Sequence, residues 1–283
     1  MGDVLRWQVG AVRITRVQEL EAPGMRFIVP QATVEQLAGI PWLGPFLATN
    51  GEAMGSVHAL VLEVDDRRII VDTCIGNDKE RRIPTWHKRQ GPFLSQLTAA
   101  GYPPESIDTV ICTHLHVDHV GWNTRLVGKD WVPTFPNARY LLARLEWEHW
   151  SQAAEHWTQI LLDDSVRPIF AAGVVDLVET DHIVHEGIRF TPTPGHTPGH
   201  ISLTVASGGE TAVITGDLVH HPCQFARPHW GSSADSDPVQ ADRTRRAFMA
   251  HYADSPALII GTHFAGPTAG RLVRDGNVYR LDV

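Results

Sequence analysis

The chain has 283 residues, a formal net charge of −8, and ordinary shares of hydrophobic (43%) and charged (20%) residues. It has no Lys/Arg-rich run, which phosphate-backbone binding requires, so we expect no nucleic-acid partner. The three cysteines are widely spaced and form no CxxC pair, which favours reduced thiols over a disulfide framework or a thiolate metal site. No window approaches the roughly 18 apolar residues of a membrane helix, and the segment from Met1 to Trp7 lacks a signal pattern, so we expect a cytoplasmic protein without a membrane partner.

The first 100 residues predict a strand, a long turn-rich segment, a β-hairpin and a helix, in that order. Residues 9–17 alternate apolar and polar side chains, which predicts a strand with one wet face. Residues 21–56 are rich in proline and glycine and carry large apolar side chains, so they form either a lid, which we favour slightly, or packing filler. Residues 58–64 and 67–72 flank a two-aspartate turn and predict a β-hairpin, and residues 92–100 have helical spacing.

The densest polar motif follows a predicted strand at residues 106–112. It reads Thr113-His114-Leu115-His116-Val117-Asp118-His119-Val120-Gly121. Imidazole and carboxylate are ligands that borderline divalent metals such as zinc prefer. In an extended segment alternate residues point the same way, so one short loop of this kind can supply ligands to two adjacent metal ions.

Further strands and helices follow, and three of the strands deliver more candidate ligands. We predict strands at residues 138–143, 174–178, 188–192, 201–206, 211–217, 257–261, 271–274 and 277–281, and helices at residues 144–157, 164–172 and 237–252. The strand at 188–192 leads into Pro194-Gly195-His196-Thr197-Pro198-Gly199-His200, where glycine and proline rule out helix and present a single imidazole. Asp217 ends the strand at 211–217, and Thr262-His263-Phe264 follows the strand at 257–261.

The His114–His119 run resembles the HxHxDH signature of the metallo-β-lactamase superfamily, and the His196, Asp217 and His263 motifs follow in that family's order. The resemblance covers residues 57 to 283 and implies an α/β fold: a four-layer αβ/βα sandwich with two mixed β-sheets. We therefore expect one domain over residues 1–283, with residues 21–56 as a lid or N-terminal extension. The family usually has Asp-Thr-Gly at the position of Asp72, where Cys74 replaces the glycine. Asp72 either supports the metal loop or caps its own turn.

Carried over residue by residue, the resemblance implies a dinuclear centre with two divalent ions, zinc first, with iron, manganese and cobalt as alternatives. One ion would be held by His114, His116 and His196, the other by Asp118, His119 and His263, with Asp217 bridging the pair. A hydroxide between the ions would be the nucleophile, since a metal lowers the pKa of bound water from about 15.7 towards 7.

The implied activity is hydrolysis of a lactone or carboxylic ester that carries a hydrophobic group. The run Gly216-Asp217-Leu218-Val219-His220 resembles organophosphate hydrolases of the methyl-parathion type, so a phosphotriester is the close rival, and a thioester of the glyoxalase II type is the third alternative. His220 would either donate a proton or hydrogen bond to the substrate or support the centre from behind. Candidate catalytic residues are Asp118, Asp217 and His220, and candidate substrate contacts are Trp122 and Phe264.

Other classes of protein fit less well. A diiron oxidoreductase of this fold typically has glutamate where His116 stands and an attached flavin domain, and an RNA-processing nuclease would want a basic face. A non-catalytic metal scaffold is disfavoured by the full ligand set. His200 is expected to play a structural, hydrogen-bonding role. The predicted partner is a small hydrophobic ester or lactone, and the chain could also form a homodimer.

Overall fold

A computed structural model of the chain describes residues 4–283, so the first three residues of the amino-terminal segment discussed above lie outside the described part. The chain divides into two compact units. Unit 1 comprises the residues up to Glu19 together with Val57–Glu179, and unit 2 comprises Leu20–Ser56 and Thr180–Val283. The expectation of one domain over the whole chain stays a prediction. Within the described residues, no helix is both long enough and apolar enough to cross a bilayer.

Strands dominate the part of the chain that the structure describes. The strands are β1 (Arg6–Val9), β2 (Val12–Pro23), β3 (Met54–Val64), β4 (Arg67–Val71), β5 (Thr109–Cys112), β6 (Thr124–Val127), β7 (Asp130–Pro133), β8 (Arg139–Ala143), β9 (Val175–Val178), β10 (Ile183–His185), β11 (Ile188–Pro192), β12 (Ile201–Ser207), β13 (Glu210–Ile214), β14 (Leu258–Ile260), β15 (Ala269–Asp275) and β16 (Val278–Asp282). The α-helices are α1 (Val34–Leu37), α2 (Phe93–Ala99), α3 (Arg144–Ser151), α4 (His156–Leu161), α5 (Arg167–Ala171), α6 (Cys223–Ala226) and α7 (Pro238–Tyr252).

The first sheet has seven strands in the order β1-β2-β3-β4-β5-β8-β9, and most of it lies in unit 1. The β3–β4 hairpin is antiparallel, with Val64 opposite Arg67, and it confirms the predicted hairpin. Strands β4, β5, β8 and β9 run parallel to one another, whereas β3 and β4 are antiparallel, so the sheet is mixed. Strand β5 and the second half of β4 (69–71) are buried and rich in β-branched residues, as expected of strands that are covered on both faces. Because β4 and β5 run the same way, the residues that follow them emerge at one edge of the sheet.

The second sheet also has seven strands, in the order β10-β11-β12-β13-β14-β15-β16, and lies in unit 2. Only the β13–β14 pair is parallel among these neighbours, so this sheet is mixed as well. Strands β13 and β14 lead, respectively, to Asp217 and His263. The carboxyl ends of two parallel neighbours therefore deliver two predicted ligands to the same edge.

Residues 21–56 contribute to the core of unit 2. Eight of their apolar side chains are buried in the same cluster as Val213, Leu218 and Phe225: Met25, Val29, Ala32, Leu37, Ile40, Leu43, Phe46 and Ala53. Burial of apolar area at this scale is a principal stabilising term in folding. This packing supports the filler interpretation of the segment rather than the lid that the sequence slightly favoured.

The predicted helix over residues 144–157 is wrong at its centre. Helix α3 ends at Ser151, and α4 begins at His156 after Glu155, whose backbone is extended. The Glu155 side chain accepts a hydrogen bond from the Thr158 backbone N–H at 2.8 Å, so it caps a new helix instead of continuing the old one. Farther on, Leu162–Val166 form a π-helical turn, and α5 starts with Pro168 in its first turn, where the missing N–H costs nothing.

Candidate metal centre

The first set of candidate ligands, His114, His116, Asp118 and His119, lies in the loop after β5 in unit 1. Asp72 follows β4 at the same sheet edge and binds this loop at both ends. Its carboxylate accepts from the Thr113 backbone N–H at 2.8 Å and from His119 Nδ1 at 2.8 Å. Of the two roles left open for Asp72, the structure therefore favours support of the metal loop. With Nδ1 held by Asp72, the Nε2 lone pair of His119 is available for a metal.

Within the first set the ring nitrogens face other potential ligands. His114 Nε2 lies 3.0 Å from His116 Nδ1, and His119 Nε2 lies 3.7 Å from Asp118 Oδ1. His114 Nδ1 is 3.1 Å from the Thr113 hydroxyl. Nitrogen atoms turned towards each other and towards a carboxylate are the arrangement expected of side chains that share a cation.

Backbone contacts fix the conformation of this loop. Thr73 N–H donates to the His119 carbonyl and Gly121 N–H donates to the Cys74 carbonyl, both at 2.7 Å. Gly121 has to be glycine here, because a Cβ would lie 1.9 Å from the Ile75 carbonyl oxygen. Cys74 adopts a positive φ of 54°, which explains why glycine is usual in the family at this position.

Glu146 is a supporting residue that the sequence did not reveal. It is 1% exposed at the start of α3, and one oxygen, Oε1, accepts from the Leu115 backbone N–H at 3.1 Å and from Trp150 Nε1 at 2.6 Å. It therefore holds the backbone between His114 and His116. No spacing rule links residues 115 and 146, so only the folded chain discloses this contact.

The second set of candidate ligands, His196, Asp217 and His263, lies in unit 2 and is almost fully buried. Gly195 lets the His196 loop approach α7 closely, because a Cβ would come within 2.3 Å of the Ala241 nitrogen. His200 accepts from the Asp217 backbone N–H through Nε2 at 2.8 Å. His200 thus orients Asp217 through a hydrogen bond, which agrees with the structural role expected for it.

Three imidazoles converge on the Asp217 carboxylate. Its oxygens lie 3.3 Å from His196 Nε2, 3.1 Å from His220 Nε2 and 3.1 Å from His263 Nε2. On the opposite side of two of these rings, Nδ1 faces an acceptor: Asp235 Oδ1 at 3.0 Å for His196, and the Ser56 carbonyl oxygen at 2.8 Å for His263. A neutral imidazole that donates through Nδ1 presents a lone pair at Nε2.

This donor set fits a divalent cation. Lone pairs on Nε2 that face carboxylate oxygens repel one another unless a positive charge lies among them, and imidazole with carboxylate is a usual set for zinc. His196 shows the same demand for positive charge. Burial lowers its pKa, but the hydrogen bonds and charges of Asp217 and Asp235 outweigh burial and raise the pKa of His196 to about 9. A proton on His196 therefore supplies positive charge between Asp217 and Asp235, and a bound metal ion would supply that charge instead.

Asp235 contacts the candidate ligand His196, and Arg245 in turn contacts Asp235. Neither residue was assigned a role from the sequence. Asp235 accepts from His196 Nδ1 and from the Ser232 backbone N–H, and its Oδ2 lies 3.5 Å from Nη2 of Arg245, which is 1% exposed. Burial raises the pKa of Asp235, but its hydrogen bonds to His196 and Ser232 outweigh burial, so the pKa is lowered and the side chain stays ionised.

Asp235→Asn is expected to weaken metal binding by about 10- to 100-fold, the range typical of a lost carboxylate partner to a ligand histidine. The amide keeps the size of the side chain but no longer attracts the Nδ1 proton with a full charge. Metal affinity is measured by competition with a chromophoric chelator. Asp237→Asn is the control, since asparagine caps α7 as well as aspartate does and Asp237 does not contact His196. Equal affinity in the two variants would rule out the role of Asp235.

Both residues predicted to contact the substrate, Trp122 and Phe264, pack against other side chains of the protein. Trp122 is 4% exposed, donates from Nε1 to Glu19 at 2.7 Å and stacks on Phe93 with ring centroids 5.8 Å apart. Phe264 is fully buried and makes edge-on contacts with Phe46 and Phe225. These contacts give both residues a packing role, and contact with a substrate stays a prediction.

Comparison with known proteins agrees with the resemblance. The model of the family described as the metallo-beta-lactamase superfamily matches residues 54–263. The chain therefore belongs to the metallo-beta-lactamase superfamily. The predicted family and α/β fold class are confirmed, and membership supports the predicted class of enzyme.

Several lactonases are among the relatives. An N-acyl homoserine lactonase of a Bacillus sp is 29% identical over 170 residues, which is 56% of this chain and 61% of that protein. An N-acyl homoserine lactonase of Bacillus cereus is 27% identical over 161 residues, 53% of this chain and 58% of the relative. The matched part of the chain thus spans about three-fifths of the length of these curated relatives.

Two solved structures match nearly the whole chain. AidC, described as a dizinc quorum-quenching lactonase in complex with a product, has a TM-score of 0.81 at 22% identity and covers 98% of this chain and 96% of its own. The hydrolase AbOPH of the beta-lactamase superfamily has a TM-score of 0.81 at 25% identity and covers 99% of this chain and 97% of its own. The first likeness, at this identity, concerns the fold alone.

Proposed function

We propose that the chain is a metal-dependent hydrolase that cleaves a lactone or a carboxylic ester with a hydrophobic group, with two divalent metals, zinc first, as its cofactor. The observation that carries this proposal is the convergence of His196, His220 and His263 on the Asp217 carboxylate within 3.3 Å. A buried carboxylate with three imidazoles, two of them oriented by a second acceptor, is typical of a metal site.

We propose that both ligand sets are needed to bind the two metals. Each set alone offers fewer protein ligands than two ions require, whereas together they supply the family's full complement. His114, His116 and His196 would hold one ion, Asp118, His119 and His263 the other, and Asp217 both. Support comes from the order of the motifs, which match the family's, and from the orientation of His119, His196 and His263 by acceptors at Nδ1.

Metals bound in this way would supply a reactive oxygen nucleophile at neutral pH and would polarise the substrate carbonyl. The residues of the chain would orient these ligands and handle the proton. Asp72 and Asp235 keep the Nδ1 protons of His119 and His196 in place, so that Nε2 remains a ligand. Asp118 and Asp217 contribute negative charge next to imidazole nitrogens.

His220 is proposed to donate a hydrogen bond or proton to the leaving oxygen. Its side chain is 3% exposed, its Nε2 lies 3.1 Å from Asp217, and its Nδ1 makes no hydrogen bond with a described residue. The backbone N–H of His220 donates to Gln224 Oε1 at 2.7 Å, which fixes the start of its side chain. Burial lowers the pKa of His220 despite the opposing charge of Asp217.

His220→Ala is expected to reduce kcat by about 100-fold with little change in KM, since a positioned proton donor contributes 10²–10⁴-fold. Metal content should stay at the wild-type value, which separates a donor from a ligand. His229→Ala, an exposed histidine, is the control. Full kcat on every substrate tried would show that His220 donates nothing, and loss of metal would make it a ligand instead.

The lactone or ester is placed before the organophosphate triester because several of the relatives that match in sequence are N-acyl homoserine lactonases. The triester remains the second candidate, favoured by the Gly216-Asp217-Leu218-Val219-His220 run, which resembles organophosphate hydrolases of the methyl-parathion type.

A substrate panel on metal-defined protein tests the proposal. The protein is stripped and reloaded with zinc, manganese or cobalt, and kcat/KM is measured for acyl-homoserine lactones of increasing chain length, p-nitrophenyl esters, a paraoxon-like triester and a thioester. We expect the highest kcat/KM for a lactone or ester with a long acyl group, lost on stripping and restored on reloading. A preference for the triester would select the second candidate, and turnover of thioesters alone or of RNA alone would overturn the proposal.

A further inference from the structure

A second concave site lies in unit 1, apart from all proposed metal ligands. The pocket has a volume of about 370 Å³. It lies where the chain leaves α2, and six of its lining residues matter here: Arg6, Arg13, Glu63, Arg68, Gly101 and Tyr102. Three arginines and one carboxylate give it a formal charge of +2 in a chain whose net charge is −8.

The single carboxylate in the pocket is already neutralised by one arginine. Arg13 donates to both oxygens of Glu63, from Nε at 2.6 Å and from Nη2 at 2.8 Å. The Tyr102 hydroxyl donates to Glu63 Oε2 and lies 2.8 Å from the buried Thr15 hydroxyl. The hydrogen bond from Arg13 outweighs partial burial and lowers the pKa of Glu63, so the carboxylate stays ionised and the pair stays closed.

The other two arginines lie outside this bidentate pair, although the charge of Arg68 also helps to lower the pKa of Glu63. Arg6 is paired with Thr15 across β1 and β2, and Arg68 with Glu63 across β3 and β4. Directly opposed residues of antiparallel strands project from the same face, so both guanidinium groups belong to the face that carries Thr15 and Glu63. Within residues 4–283, neither Arg6 nor Arg68 forms an ion pair.

We propose that this pocket binds a phosphate dianion, either free or as the phosphoryl group of a small monoester. Two planar guanidinium groups match the oxygen geometry of phosphate, and the net charge of +2 of the lining matches a dianion, whereas a monocarboxylate would leave a net positive charge in the pocket. The volume falls in the range of small-molecule sites and exceeds what a single phosphate fills, which leaves room for an organic group beside Gly101 and Tyr102.

Calorimetric titration of the metal-loaded full-length chain tests this site, with inorganic phosphate and phenyl phosphate as probes. The wild type is compared with the double variant Arg6→Gln/Arg68→Gln, which keeps side-chain length but removes both charges. Phosphate that binds at the metals would bind both proteins alike, since neither arginine belongs to the ligand sets. We expect one binding event of the wild type to weaken by at least tenfold in the variant, about 1.4 kcal/mol.

Arg189→Gln is the matched control, because Arg189 is an exposed strand arginine of the second sheet. It should bind both probes as the wild type does. Tighter binding of phenyl phosphate than of inorganic phosphate would identify a monoester as the ligand, and equal affinities would identify free phosphate. The proposal fails if the double variant binds both probes as the wild type does, or if acetate binds the wild type as tightly as phosphate.

Discussion

Asp217→Asn is expected to lower kcat/KM by at least about a thousandfold and to reduce the zinc content from two ions to about one per chain. Loss of a single positioned donor at a reaction centre costs 10²–10³-fold, and Asp217 would serve both ions. Its carboxylate is the common partner of His196, His220 and His263, so the amide removes the charge on which the whole second set converges. The fold should survive, because asparagine has the same shape and His200 still binds the backbone N–H.

The measurement combines metal analysis, kcat/KM on the preferred substrate and the circular dichroism spectrum. Asp181→Asn, an exposed aspartate in the turn before β10, is the control and should match the wild type in all three. If Asp217→Asn kept two zinc ions and full kcat/KM, Asp217 would not bridge the metals and the dinuclear proposal would lose its central ligand.

The candidate ligands could be predicted from the sequence because their spacing is local or their motifs are ordered. His114 to His119 occupy six consecutive residues, so a single loop after a buried strand is enough to reveal them. Asp217 and His263 are less distinctive alone. They were found because each follows a predicted buried strand and because their order matches that of a known family.

The supporting residues could not be predicted in the same way, because their contacts join distant parts of the chain. His196 and Asp235 are 39 residues apart, and Leu115 and Glu146 are 31 apart. A hydrogen bond to a metal ligand needs only one oxygen in the right place, and many loops can supply it. Asp72 was singled out through the resemblance to the family's Asp-Thr-Gly, which left its role open, and the structure shows that the parallel pair β4–β5 brings it to the edge where His119 emerges.

The broken helix and the unresolved choice between lid and filler have similar physical causes. Hydrophobic periodicity suggested a continuous helix over residues 144–157, but periodicity does not register that the Glu155 side chain caps a new helix. Residues 21–56 have no regular period, since 3₁₀ turns and bends replace long helices there. Their apolar side chains nevertheless fill the core of unit 2, and only the contacts of the folded chain distinguish a packed segment from a lid.

Asp164→Asn is expected to destabilise the protein by about 3–5 kcal/mol, the usual cost of removing one partner from a buried ion pair. Asp164 lies in the π-helical turn and accepts from Arg81 Nη1 at 2.7 Å and from Nη2 at 3.0 Å, while Lys79 Nζ lies 3.6 Å away. The two cations are 3% and 0% exposed. Without the carboxylate they face each other in a medium of low dielectric.

The two cations do not share that cost equally. Burial already lowers the pKa of Lys79 to about 7, although the charge of Asp164 raises it, so Lys79 can shed its proton in the variant and still donate to the Thr124 hydroxyl and the Asp164 carbonyl. A guanidinium group, unlike an amine, stays charged at any working pH. The loss should therefore come chiefly from Arg81, whose guanidinium would keep only the carbonyl of Glu80, the Ser165 hydroxyl and the amide oxygen of the new side chain.

The free energy of unfolding from urea titration, in one fixed metal state, measures the effect. Asp163→Asn is the matched control, since the neighbouring carboxylate is 67% exposed and pairs only with the exposed Arg167 one turn away. A surface pair of this kind contributes about 0.5 kcal/mol or less. Similar losses in the two variants would mean that water or another group replaces the Asp164 charge. A loss confined to Asp164→Asn would establish this cluster as a buried electrostatic anchor of unit 1, because it joins the loop at Lys79 and Arg81 to the turn between α4 and α5.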